Sequence, residues 1–242
     1  ALLLELACPG ESARERLRRG AMKVQQITAP TKAKGIEDTA LYRFNRLVSL
    51  NEVGGEPDLY GSGIGAFHAD AQYRARHWPH EMLATSTHDT KRSEDVRARI
   101  SVLSEMPAAW RQAVRRWSRM NRTRRREAGG LPAPSPDDEY LLYQTLVGTW
   151  PLEEPEEAGL EAYRRRIEEY MVKAAREAKA RTTWAAADME YEEALTQFIR
   201  AALEPRGENL FLADFRAFNR RIVPFGLLNS LSQKRLKLTT PG

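Results

Sequence analysis

The chain has 242 residues, of which 29% are charged and 42% hydrophobic, and its formal net charge is +5. This length allows one large domain or two small ones with a buried core, and the composition is typical of a soluble globular protein. The single cysteine, Cys8, excludes an internal disulfide framework and fits a reducing compartment, and every apolar run is too short to cross a membrane. We therefore expect a cytoplasmic protein that binds no membrane.

Both ends of the sequence indicate a piece of a longer protein. No signal-peptide pattern follows Ala1, because Leu2-Leu3-Leu4 leads at once into Glu5. The final stretch, Leu236 to Gly242, is typical of a strand that runs into a turn and is then cut. We expect further segments of the protein outside these residues.

The first fifty residues predict a mixture of helices and strands. After a break at Pro9-Gly10, the charged segment from Glu11 to Met22 predicts a solvent-facing helix. The β-compatible residues 23–28 predict a strand. A polar loop over 31–39 follows, and apolar residues at helical spacing predict a helix over 40–50.

A glycine-rich loop is predicted over residues 52–65. Long loops inside compact domains are often functional. The run Gly61-Ser-Gly-Ile-Gly65 is superficially similar to a phosphate loop, but no convincing strand precedes it and no Lys-Ser/Thr follows, so we do not expect nucleotide binding. A polar helix is predicted over 66–78.

The stretch Met82-Leu-Ala-Thr-Ser-Thr-His-Asp-Thr-Lys-Arg92 predicts a buried strand, residues 82–84, that ends in a polar site. A helix is predicted after Ser93. In parallel α/β proteins, chemistry collects at the carboxyl ends of strands. Residue types alone leave two interpretations of Asp89 open, a catalytic carboxylate and a helix N-cap, and His88 alone is more often structural.

The residues from about Glu94 to Glu204 contain no strand signal and predict an all-helical subdomain. Pro107 suits the start of one helix, and Ser135 with Asp138 predicts a capping pair for a central helix. The apolar stripes predict helices over 107–120, 137–149, 156–181 and 188–203.

The end of the chain predicts a helix over 209–221, an interruption at Pro224, a resumed helix over 225–232 and a final strand over 234–240. Few strands, separated by helices, are typical of parallel strands in an α/β architecture. The predicted fold class is mainly α with a few parallel strands, forming a partial (β/α)8 barrel that carries a helical insertion. The predicted division is a barrel segment over 1–99, the insertion over 100–205 and a return to the barrel over 206–242.

The basic run Arg115–Arg126 leaves a non-catalytic, nucleic-acid-binding module open as an alternative. Trp110 and Trp117, however, lie on the apolar stripe of the same helix, which favours a core position for both. Acidic stretches nearby could face the run. We therefore expect no nucleic-acid partner.

Three motifs in this order resemble the maltooligosyl trehalose synthases, of the α-amylase superfamily of (β/α)8-barrel enzymes. They are Ala33-Lys-Gly-Ile-Glu-Asp-Thr-Ala-Leu-Tyr-Arg43, Ser49-Leu-Asn-Glu-Val-Gly-Gly55 and Thr85-Ser-Thr-His-Asp-Thr-Lys-Arg-Ser-Glu-Asp95. The ending from Leu228 is similar to that family's approach to its last barrel strand. The resemblance covers essentially the whole chain and is typical of the C-terminal half of the enzyme.

The resemblance implies an isomerase, an intramolecular glucosyl transferase that turns the reducing-end α-1,4 bond of a maltooligosaccharide into an α,α-1,1 bond. It implies a retaining scheme in which Asp89 is the third, catalytic carboxylate and His88 binds the sugar. The motifs for the nucleophile and the acid are not in these residues, so the fragment alone is expected to be inactive. A trehalose-releasing hydrolase is the implied functional partner, and no metal or cofactor is expected. A plain α-amylase-like hydrolase is the alternative, against which the first motif argues.

The resemblance also implies sugar-binding roles beyond His88. Lys34 is the leading candidate, because a lysine can donate hydrogen bonds to the hydroxyls of the glucose that must be retained. Lys91 and Arg92 could contribute or pair with Glu94 and Asp95. The full substrate-binding set is His88, Lys34, Glu37, Asp38, Lys91 and Arg92, while supporting roles are favoured for Arg43, Asn51 and Glu52.

Overall fold

The computed structural model describes residues 11–241 and is mostly helical. The predictions for Cys8 and for the break at Pro9-Gly10 lie outside the described residues. In chain order the helices are α1 (Glu11–Lys32), α2 (Leu41–Arg43), α3 (Ile64–His77), α4 (Glu94–Ser101), α5 (Pro107–Met120), α6 (Pro136–Thr149), α7 (Glu157–Ala178), α8 (Met189–Ala202) and α9 (Leu210–Thr239). A π-helical segment (Ala33–Ala40) joins α1 to α2, short 3₁₀ turns span Val48–Leu50, Val102–Glu105 and Arg122–Arg124, and two strands, β1 (Arg126–Ala128) and β2 (Leu131–Ala133), pair antiparallel.

An aromatic cluster around Trp117 holds α5, α6 and α9 together. Trp117 is fully buried, and its ring lies 5.4–5.9 Å, centroid to centroid, from four aromatic rings of α6 and α9. These rings belong to Tyr143, Phe211, Phe215 and Phe218. The indole N–H of Trp117 donates to Asp214 at 2.6 Å, which satisfies the one polar atom that this burial would strand. The prediction that Trp117 is a core residue is confirmed.

Helix α6 runs through the centre of the core. Its apolar residues are buried around much of its circumference, so the prediction of a central helix is confirmed. The N-terminus is capped by Ser135, whose hydroxyl accepts the backbone N–H of Asp138 at 3.1 Å, so the predicted capping pair is confirmed. Helix α4 packs between α6 and α9 and thereby connects the core to the residues on its N-terminal side, which form the candidate site.

The strands predicted over 23–28, 82–84 and 234–240 are wrong. Residues 23–28 lie in α1, and residues 234–239 form the last turns of α9. Residues 82–84 form an irregular segment in which the Met82 side chain is 92% exposed. A short β-compatible run becomes a strand only where a neighbouring strand can pair with it, and these three segments have no such neighbour among the described residues.

The helix predicted over 40–50 is shorter than expected because tertiary hydrogen bonds replace its later turns. The Asn51 side chain donates to the carbonyls of Leu41 and Phe44, at 2.8 and 2.6 Å. The buried Gln144 side chain accepts the N–H of Val48 at 2.9 Å and donates to the Asn45 carbonyl at 2.7 Å. These bonds satisfy the backbone that leaves the helix after α2.

The predicted interruption at Pro224 is also wrong, since α9 continues through it to Thr239. A proline removes one helical hydrogen bond, but the flanking turns are fixed by packing on both sides. Ile222 is fully buried, and Gly226 lies against Arg99 of α4. Beyond this crossing, α9 exposes leucine side chains at 227, 228, 231, 236 and 238.

The mainly helical class is confirmed, whereas a partial barrel is not. Within the described residues the strands are the antiparallel β1 and β2, with Arg126 opposite Ala133. This hairpin lies inside the region predicted to be all-helical, where the turn residues Gly129 and Gly130 take positive φ angles of 57° and 74°. No helix in the described part of the chain is long and apolar enough to cross a membrane. The division into 1–99, 100–205 and 206–242 stays a prediction.

Gly226→Ala should destabilise the fold. A Cβ at this position would lie 3.1 Å from the Arg99 Cα and closer still to Arg99 Cγ, so α4 and α9 would have to separate. We expect the free energy of unfolding to fall by about 1–3 kcal/mol in a denaturant titration. Gly65→Ala in α3 is the matched control, because open space surrounds that position. The control should raise the free energy of unfolding by about 0.4–1 kcal/mol, and an equal gain for Gly226→Ala would contradict the close crossing.

Candidate functional site

His88 and Asp89 project from a surface loop, residues 85–93, that precedes α4. Their side chains are 90% and 73% exposed, and His88 Nε2 lies 3.3 Å from Asp89 Oδ2. Helix α4 begins at Glu94, and Ser93 occupies its N-cap position, so the N-cap interpretation of Asp89 is wrong. The carboxylate is therefore not used by helix α4.

The two ends of this loop are joined by a reciprocal pair of hydrogen bonds. Ser86 Oγ donates to the Glu94 carboxylate and accepts the Glu94 backbone N–H at 2.9 Å. The bond from Ser86 is the main reason that the pKa of Glu94 lies below its ordinary value. Ser86 thus satisfies an N–H in the first turn of α4, although it comes eight residues before Glu94.

Glu52, at the start of the glycine-rich loop, fixes the backbone just after Asp89. Its Oε1 accepts the N–H of Lys91 at 2.8 Å, and its Oε2 accepts the N–H of Arg92 at 3.3 Å. The same Oε2 accepts from Arg97 Nη1 at 2.8 Å, in an ion pair whose side chains are 16% and 18% exposed. A carboxylate with three such donors is held in one position, and it holds the loop in turn.

Arg97, in α4, joins the two ends of the loop directly. Its Nη1 donates to the Arg92 carbonyl at 2.6 Å, and its Nη2 donates to the Thr85 carbonyl. One planar guanidinium therefore contacts the residues on either side of His88 and Asp89. The exposed pair stands on a loop whose ends are fixed.

A second charged group lies around Asp38. Its carboxylate pairs with Lys34 at 2.5 Å and with Lys91 at 2.7 Å. These two ammonium groups, that of Lys34 first, hold the pKa of Asp38 below its ordinary value, and Asp38 raises the pKa of Lys34. The π-helical segment places Lys34 and Asp38 on one face, and Lys91 reaches them from the loop.

Arg92 and Glu37 differ in how they are held. Arg92 donates to the Val48 carbonyl at 3.2 Å and to the Tyr170 hydroxyl at 2.7 Å. Glu37 is half-buried and has no hydrogen-bond partner among the described residues. The alternative expectation that Lys91 and Arg92 pair with Glu94 and Asp95 is wrong, since Lys91 pairs with Asp38 and the acceptors of Arg92 are uncharged.

The structure thus brings the predicted residues together in two groups. Lys34, Asp38 and Lys91 form one, and His88 with Asp89 forms the other. Within residues 11–241, no hydrogen bond or ion pair joins the two groups directly. The backbone of residues 89–91 links them, because Asp89 is in one group and Lys91 in the other.

Two contributors to the site were missed by the sequence analysis, Arg97 and Tyr170. Arg97 acts on backbone carbonyls, which carry no residue-type signal. Tyr170 comes from α7, 78 residues after Arg92, and only the fold brings it close. The described part of the chain contains no cluster of three or more His, Cys, Asp or Glu side chains that could hold a metal ion.

The basic run around α5 is partly neutralised by acidic side chains. Arg116 makes a bidentate contact with Asp214, with its shortest distance 2.7 Å, and Arg125 pairs with Glu139 at 2.5 Å. The pairing with Glu139 agrees with the expectation that acidic residues nearby would face this run. A row of free cations suited to phosphates is therefore interrupted.

The chain is similar in sequence and in structure to known proteins. No protein-family model matches the chain. A protein of Mycobacterium tuberculosis (strain CDC 1551 / Oshkosh), named "Putative maltooligosyl trehalose synthase", is 36% identical over 222 residues, which are 92% of this chain and 27% of that protein. A hypothetical maltooligosyl trehalose synthase of Sulfolobus tokodaii superposes with a TM-score of 0.79 at 36% identity, over 96% of this chain and 31% of that one. The chain is a relative of the maltooligosyl trehalose synthases.

The likeness extends to a solved maltooligosyltrehalose synthase of Arthrobacter ramosus, with a TM-score of 0.73 and 38% identity over 92% of this chain. The resemblance predicted from three motifs is thereby confirmed. The chain spans about a quarter of the length of the curated relatives, 27%, and 26% of the Arthrobacter ramosus synthase. It corresponds to a segment of these synthases.

Glu52→Gln should loosen the loop that carries His88 and Asp89. Either orientation of the new amide places an NH₂ group against N–H donors that now share a carboxylate. A buried donor left unsatisfied costs about 1–3 kcal/mol. We expect the amides of Lys91 and Arg92 to exchange hydrogen about tenfold faster, as measured by NMR.

Glu56→Gln is the control for this experiment. Glu56 lies in the same glycine-rich loop but is exposed, and its carboxylate has no partner among the described residues. Its substitution should leave the exchange of both amides unchanged. Equal exchange rates in the two variants would show that Glu52 does not hold the loop.

The Asp38 ion pairs should make stability depend on pH in one direction. The pKa of Asp38 is lowered in the folded chain, so the carboxylate stabilises the fold above its ordinary pKa of 3.8 and loses this effect as the pH falls through the lowered value. We expect Asp38→Asn to be less stable than wild type at neutral pH and the difference to shrink below pH ~4. Urea titrations at several pH values measure this difference, with Asp58→Asn, an exposed loop carboxylate, as a control that should show little difference at any pH. A difference that grew on acidification would contradict the assigned direction.

Proposed function

We propose that this chain supplies part of the active site of an isomerase, an intramolecular glucosyl transferase that acts on maltooligosaccharides in trehalose biosynthesis. The reducing-end α-1,4 bond is broken, and an α,α-1,1 bond forms between the same two glucose units. The names of its relatives support this reaction. The observation that carries the proposal is that an exposed imidazole and carboxylate, 3.3 Å apart, stand on a loop fixed at both ends.

Asp89 is the proposed catalytic carboxylate. An ionised carboxylate only accepts hydrogen bonds, and sugar hydroxyls are suitable donors. Hydrogen bonds to hydroxyls strengthen as the sugar ring approaches an oxocarbenium-like transition state. Among the described residues the side chain next to the Asp89 carboxylate is the His88 imidazole, which leaves carboxylate oxygen positions open to a sugar. His88 would bind an adjoining hydroxyl and help to orient the ring.

Lys34 and Lys91 are the proposed donors to the glucose that is released and then reattached. Each ammonium group carries three N–H donors and uses one on Asp38. The remaining donors can bind hydroxyls, and Asp38 limits the directions in which they point. The released glucose must stay bound until its anomeric hydroxyl attacks, because water would otherwise complete a hydrolysis.

The nucleophile and the acid of the retaining scheme are proposed to lie in parts of the whole protein outside this chain. The chain by itself should then show no turnover. A trehalose-releasing hydrolase is the proposed consumer of the product. A cytoplasmic location is also part of the proposal, supported by the single cysteine of the sequence.

Asp89→Asn in the full-length protein tests this proposal. When the wild-type protein is incubated with maltopentaose, reducing ends should disappear and α,α-1,1 linkages should form. Proton NMR measures both changes. The variant should be slower by about 10²–10³ or more, since it loses charge at the transition state. Asp137→Asn, an exposed carboxylate at the start of α6, is the control and should keep wild-type activity.

Two results would count against the proposal. Release of glucose or short maltosides by wild type would identify an α-amylase-like hydrolase. Wild-type activity in a folded Asp89→Asn variant would show that the site lies elsewhere on the chain.

A further inference from the structure

A cavity of ≈ 190 Å³ lies behind the His88–Asp89 loop, between that loop and the facing sides of α6 and α7. Lys91 and Arg92 form its wall on the loop side, and Arg166 of α7 lines it from the other side. Val96 and Ile167 give it apolar surfaces. This volume is below the about 300–1,000 Å³ of pockets that take drug-sized ligands, so only a small ligand would be enclosed.

The charge of this cavity is one-sided. Its lining contains three basic side chains and, among the described residues, no acidic one. Lys91 is neutralised by Asp38, but Arg92 donates only to a carbonyl and a hydroxyl. Arg166 is exposed and has no hydrogen-bond or ion-pair partner in the described part of the chain. Two arginines therefore line one cavity that has no carboxylate among its described lining residues, and guanidinium groups favour phosphate and carboxylate ligands.

The cavity also presents hydroxyl groups. Thr145, Thr149, Tyr163 and Tyr170 are among its lining residues. Thr145 and Thr149 donate to backbone carbonyls at 2.8 and 2.7 Å, and Thr149 Oγ1 lies 2.9 Å from the Tyr163 hydroxyl. The Tyr170 hydroxyl accepts from Arg92 and keeps its own proton available for donation. One hydroxyl donor, Tyr170, and hydroxyl oxygens that can accept, next to apolar surfaces, suit a polyol whose ring presents both C–H and O–H groups.

We propose that this cavity binds a phosphate monoester of a small sugar, and that its occupancy steadies the His88–Asp89 loop. The phosphate would take the guanidinium groups of Arg92 and Arg166, and the sugar would take the hydroxyls and the apolar wall. Arg92 is also part of the loop, since its N–H is bound by Glu52 and its carbonyl by Arg97. A ligand that fixes the Arg92 side chain therefore reduces the freedom of the backbone next to Asp89.

The binding test uses the full-length protein and three probes: glucose 1-phosphate, inorganic phosphate and glucose. Isothermal titration should give the tightest binding for glucose 1-phosphate. Arg166→Gln should weaken it by at least about tenfold, because a charge-assisted contact to phosphate is lost. Arg165→Gln, one residue away and lining a different surface cavity, should change it by less than about twofold.

Three results would overturn the binding proposal. Equal binding of glucose 1-phosphate in Arg166→Gln and wild type would remove the cavity as its site. Equal affinity for inorganic phosphate would exclude a contribution from the sugar. Tighter binding of glucose than of its phosphate would identify a neutral sugar site. Arg166 is exposed, so its substitution leaves the core intact.

The effect on the loop is tested by hydrogen exchange. Saturating glucose 1-phosphate should slow exchange over residues 88–92 by about fivefold or more in wild type, and not in Arg166→Gln. Unchanged exchange in wild type would overturn the coupling. Only the relevance of this coupling to turnover rests on the proposed function. Titration and exchange need no turnover, so a failure of the proposed reaction leaves both results interpretable.

Discussion

The burial of Trp117 is the constraint on which the rest of this structure depends. A fully buried indole needs aromatic partners around its ring and an acceptor for its N–H, and α6 and α9 supply both. The acceptor, Asp214, also receives two guanidinium nitrogens of Arg116. Because the Asp214 carboxylate accepts hydrogen bonds from both Trp117 and Arg116, the crossing of α5 and α9 is set by hydrogen bonds as well as by packing.

Polar side chains connect this aromatic core to the candidate site. Gln144 of α6 holds the backbone at Asn45 and Val48. Asn51 holds the end of α2, and the next residue, Glu52, binds the loop after Asp89. The core is therefore linked to the backbone next to the exposed carboxylate through hydrogen bonds, each between a side chain and a backbone group. Such bonds fix position without adding bulk at the surface, where a substrate needs room.

The helical part of the fold was predictable because its signal is local and repeated. The apolar stripe that contains Trp110 and Trp117 repeats along its helix. The cap at Ser135 involves residues that lie within a few positions of each other. The strands failed for the opposite reason. Residues 23–28 have β propensity, but a strand needs a partner, and the charges before them, such as Glu15 with Arg19, support a helix. The surrounding charges, and not the β propensity of residues 23–28, therefore agree with the helix that forms there.

The candidate site was predictable only where its residue types form a motif. His88 and Asp89 could be found in the sequence, and so could Lys34 with Asp38. The contacts that position them could not, because the acceptors are carbonyls of Thr85 and Arg92, which any residue offers. The cavity could not be predicted from the sequence, since Arg92 and Arg166 line it together only after α7 has packed against α6.

The double contact of Arg97 determines where this chain can change in length. Because one rigid guanidinium contacts the carbonyls of Thr85 and Arg92, the segment between them must begin and end within the span of a single side-chain head. An insertion or a deletion there would force Arg97 to release one end. Among the described residues, no side chain joins the two ends of the glycine-rich loop after Glu52 in this way, and longer loops cost little entropy. Grafted sequences or affinity tags therefore belong in residues 54–63, while the segment 86–91 keeps its length.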